Sequence, residues 1–196
     1  MSGKKPTHRD RIVRAASKLL RQRGYSGTGL ADIVALSGAP KGSIYHYFPQ
    51  GKDQIAAEAL RYAGRLVSET VTDLCTRAET PADALRAYGA LLAGWMADSG
   101  FMDGCPITTT VLQTAPANAE LAEAGRNAFA EWSDALRIKL VDSGLPPERA
   151  RRLAGLAIMA LEGALILARV EASKAPIVLA TEEVAALFER ECDGRV

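Results

Sequence analysis

Lys41, Ser43, Tyr45, His46 and Tyr47 crowd into one short stretch, with Gly42 among them and Thr28, Gly29 and Lys52 to either side. Ammonium, hydroxyl, phenol and imidazole groups at this density suit hydrogen bonding to phosphate oxygens and base edges. Lys41 can reach a guanine edge or a phosphate, and the Ser43 hydroxyl can meet either. Gly42 has no side chain, so a duplex could approach the backbone there. Tyr45 has two readings, a phenol–phosphate hydrogen bond or packing against the first helix, and mixed use is favoured. Tyr47 and His46 read as phosphate or thymine-methyl contacts. A metal role is disfavoured because the other histidine, His8, lies far away in sequence. Phe48 reads as core.

Two short helices must position these groups. The first carries Leu30, Ile33, Val34 and Leu36 on one side. Gly38 supplies a sharp turn, and Pro40 suits the first turn of a helix, where its missing N–H would be unpaired anyway. The second runs from about Lys41 to Tyr47. This is the pattern of a helix-turn-helix whose second helix lies in a DNA groove. Thr28 or Gly29 opens the earlier helix. Thr28 reads as a plain N-cap, as a phosphate contact at a helix N-terminus, or as both. Lys52 reads equally as a backbone-phosphate contact and as an ordinary surface lysine. Ahead of this pair, Thr7 can cap a helix that carries Ile12, Ala16, Leu19 and Leu20 and ends at Gly24.

Charge supports the assignment. Residues 1–52 hold ten Lys or Arg against Asp10 and Asp32, a net +8, while the whole chain is only +1, leaving −7 on residues 53–196. A basic head draws phosphate and releases counterions; an acidic remainder does not. The opening residues, Met1 to Pro6, are charged and have no apolar run behind them, unlike a signal peptide. The most apolar stretch, Leu153 to Ala168, is interrupted by Glu162 and two glycines, so no membrane span is expected. Three scattered cysteines fit neither a zinc site nor a disulfide framework, which favours a reducing cytoplasm. No cofactor or metal motif is legible.

Apolar residues recur at helical spacing throughout, and no run alternates as a strand would. The reading is all-α, with about nine helices, divided into a helix-turn-helix domain at 1–51 and a larger helical domain at 52–196. Helices are expected from Lys52 towards Arg77, from Thr80-Pro81 with Leu91 and Trp95 inside, and over about 107–113. Others are expected over 118–143 and 148–172, with a last helix capped by Thr181. Pockets between helices are lined by large apolar side chains and a few polar groups. Trp95, Met96, Phe101, Cys105, Val111, Leu112, Phe129, Trp132 and Met159 are the candidates, with Thr108, Thr109, Thr110, Gln113 and Glu162 as polar partners. Glu162 has three readings: a ligand contact, a cross-subunit pair or a solvated side chain. Core is the competing reading for most of the large residues, and Cys105 reads better as a buried thiol than as a redox sensor. The last two helices are apolar round most of their circumference, which suits a subunit interface. Leu156, Ala160, Gly163, Ala164, Leu167, Val184 and Leu187 are its candidates.

Gly24-Tyr25, Thr28, Asp32-Ile33, Ser37-Gly38, Lys41-Gly42-Ser43, Tyr45-His46-Tyr47-Phe48-Pro49 and Lys52 together resemble the N-terminal signature of the TetR family of transcriptional regulators. The resemblance implies an all-helical homodimer, with a three-helix DNA-binding head on a body that holds an inducer. The run Phe48-Pro49-Gln50-Gly51-Lys52 has one residue more than the usual signature. With Asp103-Gly104-Cys105-Pro106-Ile107 and Leu161-Glu162-Gly163-Ala164-Leu165, it is similar to the LmrA/YxaF-type subgroup. That similarity implies a repressor that leaves a palindromic operator when a drug-like or aromatic compound binds. The competing functions are a small all-α enzyme and a ligand-independent DNA-binding protein. Against the first, no nucleophile–base pair, metal cluster or phosphate loop is present in the sequence. Against the second, most of the chain would have no task.

Overall fold

The computed structural model describes residues 6–194, so Lys4 and Lys5, counted in the basic charge, lie outside the described residues. The described residues form nine helices and no strand: α1 (His8–Arg23), α2 (Leu30–Ser37), α3 (Lys41–Tyr47), α4 (Lys52–Arg77), α5 (Pro81–Asp98), α6 (Pro106–Thr114), α7 (Ala119–Asp142), α8 (Pro147–Glu171) and α9 (Ala175–Asp193). They make two compact units. The head unit is the chain up to Arg65 together with Pro106–Ala128; the body unit is Leu66–Cys105 together with the chain from Phe129 onward. This grouping cuts the chain differently from the linear boundary expected after residue 51. The first halves of α4 and α7, and all of α6, belong to the head.

In the head, α1 starts where Thr7 and Asp10 cap each other. The Asp10 backbone N–H donates to the Thr7 hydroxyl oxygen at 3.2 Å, and the Asp10 carboxylate accepts from the Thr7 N–H at 2.9 Å. The Thr7 hydroxyl also donates to that carboxylate at 2.8 Å, and this bond, then the one from the Thr7 N–H, holds the Asp10 carboxyl below its ordinary pKa. Gly29 caps α2, its N–H donating to Asp32 Oδ2 at 3.1 Å. Gly38, at φ +59°, makes the left-handed turn between α2 and α3. Helices as short as α2 and α3 do not persist in water alone. Ile12, Leu20, Ile33, Ile44, Phe48 and Ile55, all at 2 % exposure or less, hold them together. Each such burial contributes roughly 1.5–3 kcal/mol.

In the body, α5 and α8 both pack on α9. Gly89 of α5 meets Thr181 of α9 so closely that a Cβ would lie 2.2 Å from the Thr181 hydroxyl oxygen. Thr181 therefore is not the cap expected from sequence: α9 already begins at Ala175, with Pro176 in its first turn, and Thr181 is buried within it. Leu85, Tyr88, Leu92 and Met96 are buried on the same side of α5 as Gly89. Leu91 and Trp95, expected inside, are 38 % and 43 % exposed. A further correction concerns α8, which by length and composition is apolar enough to cross a membrane; the interruptions at Glu162 and the glycines do not bring it below that range. One side of α8 is buried all the same, through Leu153, Ala157, Leu161, Ala164 and Ala168.

Arg86 of α5 forks to two carboxylates about two helical turns apart on α9, Glu182 at 2.9 Å and Glu189 at 2.6 Å. The bond from Arg86 is the main reason the Glu189 carboxyl is held below its ordinary value. A carboxylate with a depressed folded pKa stabilises the fold above its unfolded value and loses that contribution as pH falls through the folded one. Arg86→Met should therefore lower the melting temperature modestly at pH 7, since the fork is solvent-screened. The difference from wild type should shrink as the pH drops below about 4.5, the ordinary carboxylate value. Thermal unfolding at a series of pH values checks both parts.

Candidate functional site

Around α3 the side chains divide cleanly. Ile44 and Phe48 point into the head core, while Lys41, Gly42, Tyr45, His46 and Tyr47 are exposed and Ser43 is half-buried. Tyr45 is 64 % exposed, which decides against the packing reading for it. His46 and Tyr47 meet edge to face, ring centroids 4.7 Å apart. Nothing lies within 4 Å of where a Gly42 Cβ would sit, so backbone there is open to a close partner. The Ser43 hydroxyl is 3.3 Å from Nδ1 of His8 in α1, a contact the sequence did not reveal.

Thr28 is the clear correction in this set. It is buried, and its hydroxyl donates to the Gly24 carbonyl at 2.7 Å, so it is neither a helix cap nor a phosphate contact. Gly29 takes the capping place instead. Lys52 is half-buried, its ammonium 4.0 Å from the centre of the Tyr25 ring, a cation–π arrangement. The Tyr25 hydroxyl donates to Asp53. Burial first, then that bond and the carboxylate charge, push the Tyr25 pKa up to about 12. Asn118 donates to the other Asp53 oxygen at 3.1 Å.

Several basic residues of the head are similarly engaged. Arg9 pairs with Glu58 at 2.6 Å, and Arg14 stacks over Tyr62.

The polar residues expected to line a pocket near residue 108 serve the head as well. Thr109 donates to the Leu20 carbonyl at 2.8 Å, and Gln113 accepts from the Ser26 N–H at 2.7 Å. Both tie α6 to the end of α1 and the loop after it. Gly24, at φ +69°, permits this: a Cβ would lie 2.5 Å from the Gln113 amide nitrogen. Thr108 and Val111 are half-buried, and Leu112 is 72 % exposed. The pocket candidates from α6 therefore all lie in the head unit.

The remaining candidates lie in the body. Met96, Cys105 and Trp132 are buried, Phe129 packs edge to face on Trp132 at 5.4 Å, and Phe101 takes φ +61°, rare for a side-chain-bearing residue. Burial of Tyr88, then the charges of Cys105 and Glu162, push the Tyr88 pKa upward. Met159 departs from expectation. It is 67 % exposed on the outer side of α8, which it shares with Leu156, Gly163, Ile166, Leu167 and Val170. Among the expected interface residues, Ala164 and Val184 are buried within the body, because they lie on the sides by which α8 and α9 pack inward. Ala160 and Leu187 are half-buried. Among the described residues no three His, Cys, Asp or Glu side chains form a group that could hold a metal.

An all-helical chain whose short third helix turns its polar side outward has the build of a helix-turn-helix DNA-binding protein. Comparison with known proteins agrees. Residues 12–59 match the family described as bacterial regulatory proteins, tetR family, and residues 81–183 match the C-terminal domain of LmrA/YxaF-like transcriptional regulators. The HTH-type transcriptional regulator Rv0196 of Mycobacterium tuberculosis is 35 % identical, over 95 % of this chain and 97 % of its own. YxaF of Bacillus subtilis is 31 % identical, over 93 % of this chain and 95 % of its own. A crystal structure of a TetR transcriptional regulator from Chloroflexus aurantiacus superposes with a TM-score of 0.78 at 29 % identity, covering 94 % of this chain and 95 % of that one. The chain belongs to the TetR family of transcriptional regulators, in its LmrA/YxaF-like branch.

Proposed function

We propose that the protein is a cytoplasmic repressor that binds a palindromic operator as a homodimer and is released by a small apolar or aromatic inducer. One observation carries the DNA part: α3 turns Lys41, Ser43, Tyr45, His46 and Tyr47 outward while Ile44 and Phe48 anchor it from behind. A helix so held can enter a major groove without rearrangement. Gly29 and Lys52 flank it as backbone contacts. The repressor sense rests on the resemblance to LmrA/YxaF-type repressors.

The outer side of α8 supports the homodimer. Leu156, Met159, Ile166, Leu167 and Val170 are each at least 40 % exposed and recur at helical spacing, and nothing lies within 4 Å of a Cβ built at Gly163. An unbroken apolar strip of this kind is covered in a working protein. A second copy covers it better than lipid does, because the other side of α8 is already buried. Ala160 and Leu187 stand at its margin. Two linked recognition helices also give the affinity that one short helix lacks.

We place the inducer site in the body, around Trp95, Met96, Phe101, Phe129 and Trp132, with Cys105 and Glu162 as polar neighbours. Phe101 supports it, since strained non-glycine backbone clusters at ligand sites. Helix α4 is continuous from Lys52 to Arg77 and contributes residues to both units. An inducer that prefers one setting of that helix would shift the population of DNA-competent protein, by no more than its differential affinity.

Lys41→Ala should weaken operator binding by roughly 1–3 kcal/mol if Lys41 meets a base edge. If it meets only phosphate, the slope of log K against log salt should fall by about one unit. Fluorescence anisotropy across a salt series, on a duplex selected from a random library, distinguishes the two; unchanged affinity and slope would remove Lys41 from the contacts. Gly163→Arg should leave the circular dichroism spectrum intact and convert the dimer to monomer in sedimentation equilibrium. A wild-type chain that sediments as a monomer yet binds a palindrome tightly would contradict the dimer.

A further inference from the structure

We propose that His8 is a positioning residue for the recognition helix, its Nδ1 setting whether the Ser43 hydroxyl offers DNA a lone pair or a proton. The proposal rests on α3 being the helix that meets DNA. The two side chains are 35 residues apart in sequence, and their atoms lie 3.3 Å from each other between exposed groups of α1 and α3. A serine hydroxyl has one proton and two lone pairs. When Nδ1 is unprotonated, Ser43 donates its proton to the ring and turns only lone pairs outward, which suits an amino group on a base edge and repels phosphate. When the ring is doubly protonated, Nδ1–H must donate to the Ser43 oxygen. The hydroxyl proton is then free for a phosphate oxygen or a guanine acceptor, and the head gains a positive charge. Imidazole makes this change between about pH 5 and 8.

The charged neighbourhood does not supply another partner for the exchange. On α1, Asp10 is bonded by Thr7, Arg9 is paired with Glu58 of α4, and Arg11 stands one residue further on. On α2, Asp32 caps Gly29 and lies 3.8 Å from Arg23, and on α4, Asp53 is bonded by Tyr25 and Asn118. Helix α6 carries no charged residue, and α3 carries Lys41 and His46. His46 is the other histidine of the chain, so the test must separate the two.

Affinity for a duplex selected at pH 5.5 by the wild-type protein from a random library should be measured by anisotropy from pH 8 to pH 5.5, for wild type, H8Q, S43A and K41A. Wild type should bind about tenfold more tightly at the acid end, and H8Q should lose that gain. S43A should lose the part of the gain that runs through its hydroxyl and keep only the smaller part due to the ring's charge. In ring-proton NMR, S43A should shift the titration of the His8 imidazole and leave His46 unmoved. A full acid gain in H8Q would assign the pH dependence to His46 and overturn the proposal. An acid gain kept in full in S43A but lost in H8Q would reduce His8 to a simple charge and overturn it too. Unchanged binding by K41A and S43A at every pH would show that α3 is not the DNA-contacting helix, and the proposal would fall with that reading.

Discussion

The burial of Ile44 and Phe48 behind α3 is the constraint on which the head depends. A helix of seven residues cannot hold its own shape in water, so its form is borrowed from what packs behind it. Two apolar side chains supply that support, together with Ile12, Leu20, Ile33 and Ile55. Because they occupy only one narrow side, every other position of α3 is released for polar chemistry. Larger apolar content would make α3 more stable and leave it less to read with.

The same economy explains the polar network beneath the head. Tyr25, Asp53 and Asn118 join three separate segments of the chain through one carboxylate, and Gln113 and Thr109 fix α6 to the end of α1. These groups look like site residues by type, yet their hydrogen-bonding capacity is spent within the head. Hydrogen bonds of this sort add about 1 kcal/mol each, and leaving a partner unsatisfied costs more. Their value lies in geometry: they fix where α1, α2 and α4 begin and end, and so where α3 faces.

How much was legible in the sequence follows from how local each feature is. The cap at Thr7, the turn at Gly38 and the bounds of α3 and α4 depend on neighbours a few residues away, and spacing alone located them, whereas it left the cap of α2 open between Thr28 and Gly29. Thr28 failed because its hydroxyl found a carbonyl four residues earlier, a choice that residue type does not reveal. Thr181 failed because a glycine on α5, far off in sequence, made room for it in mid-helix. Met159 and Ala164 show the limit of apolarity as a guide. Both lie on α8, but only the packing of α8 on α9 decides that one faces outward and the other inward. His8 had no local signal at all; its partner is 35 residues away.

Amide hydrogen exchange, with and without a bound duplex of selected sequence, measures the central claim most directly. If a buried apolar backing holds α3 ready to read DNA, residues 41–47 and the starts of α2 and α4 gain protection on binding. The amides of Ile44 and Phe48 should already be slow in the free protein. Protection confined to other helices, with α3 unchanged, or an α3 that exchanges freely until DNA arrives, would contradict it.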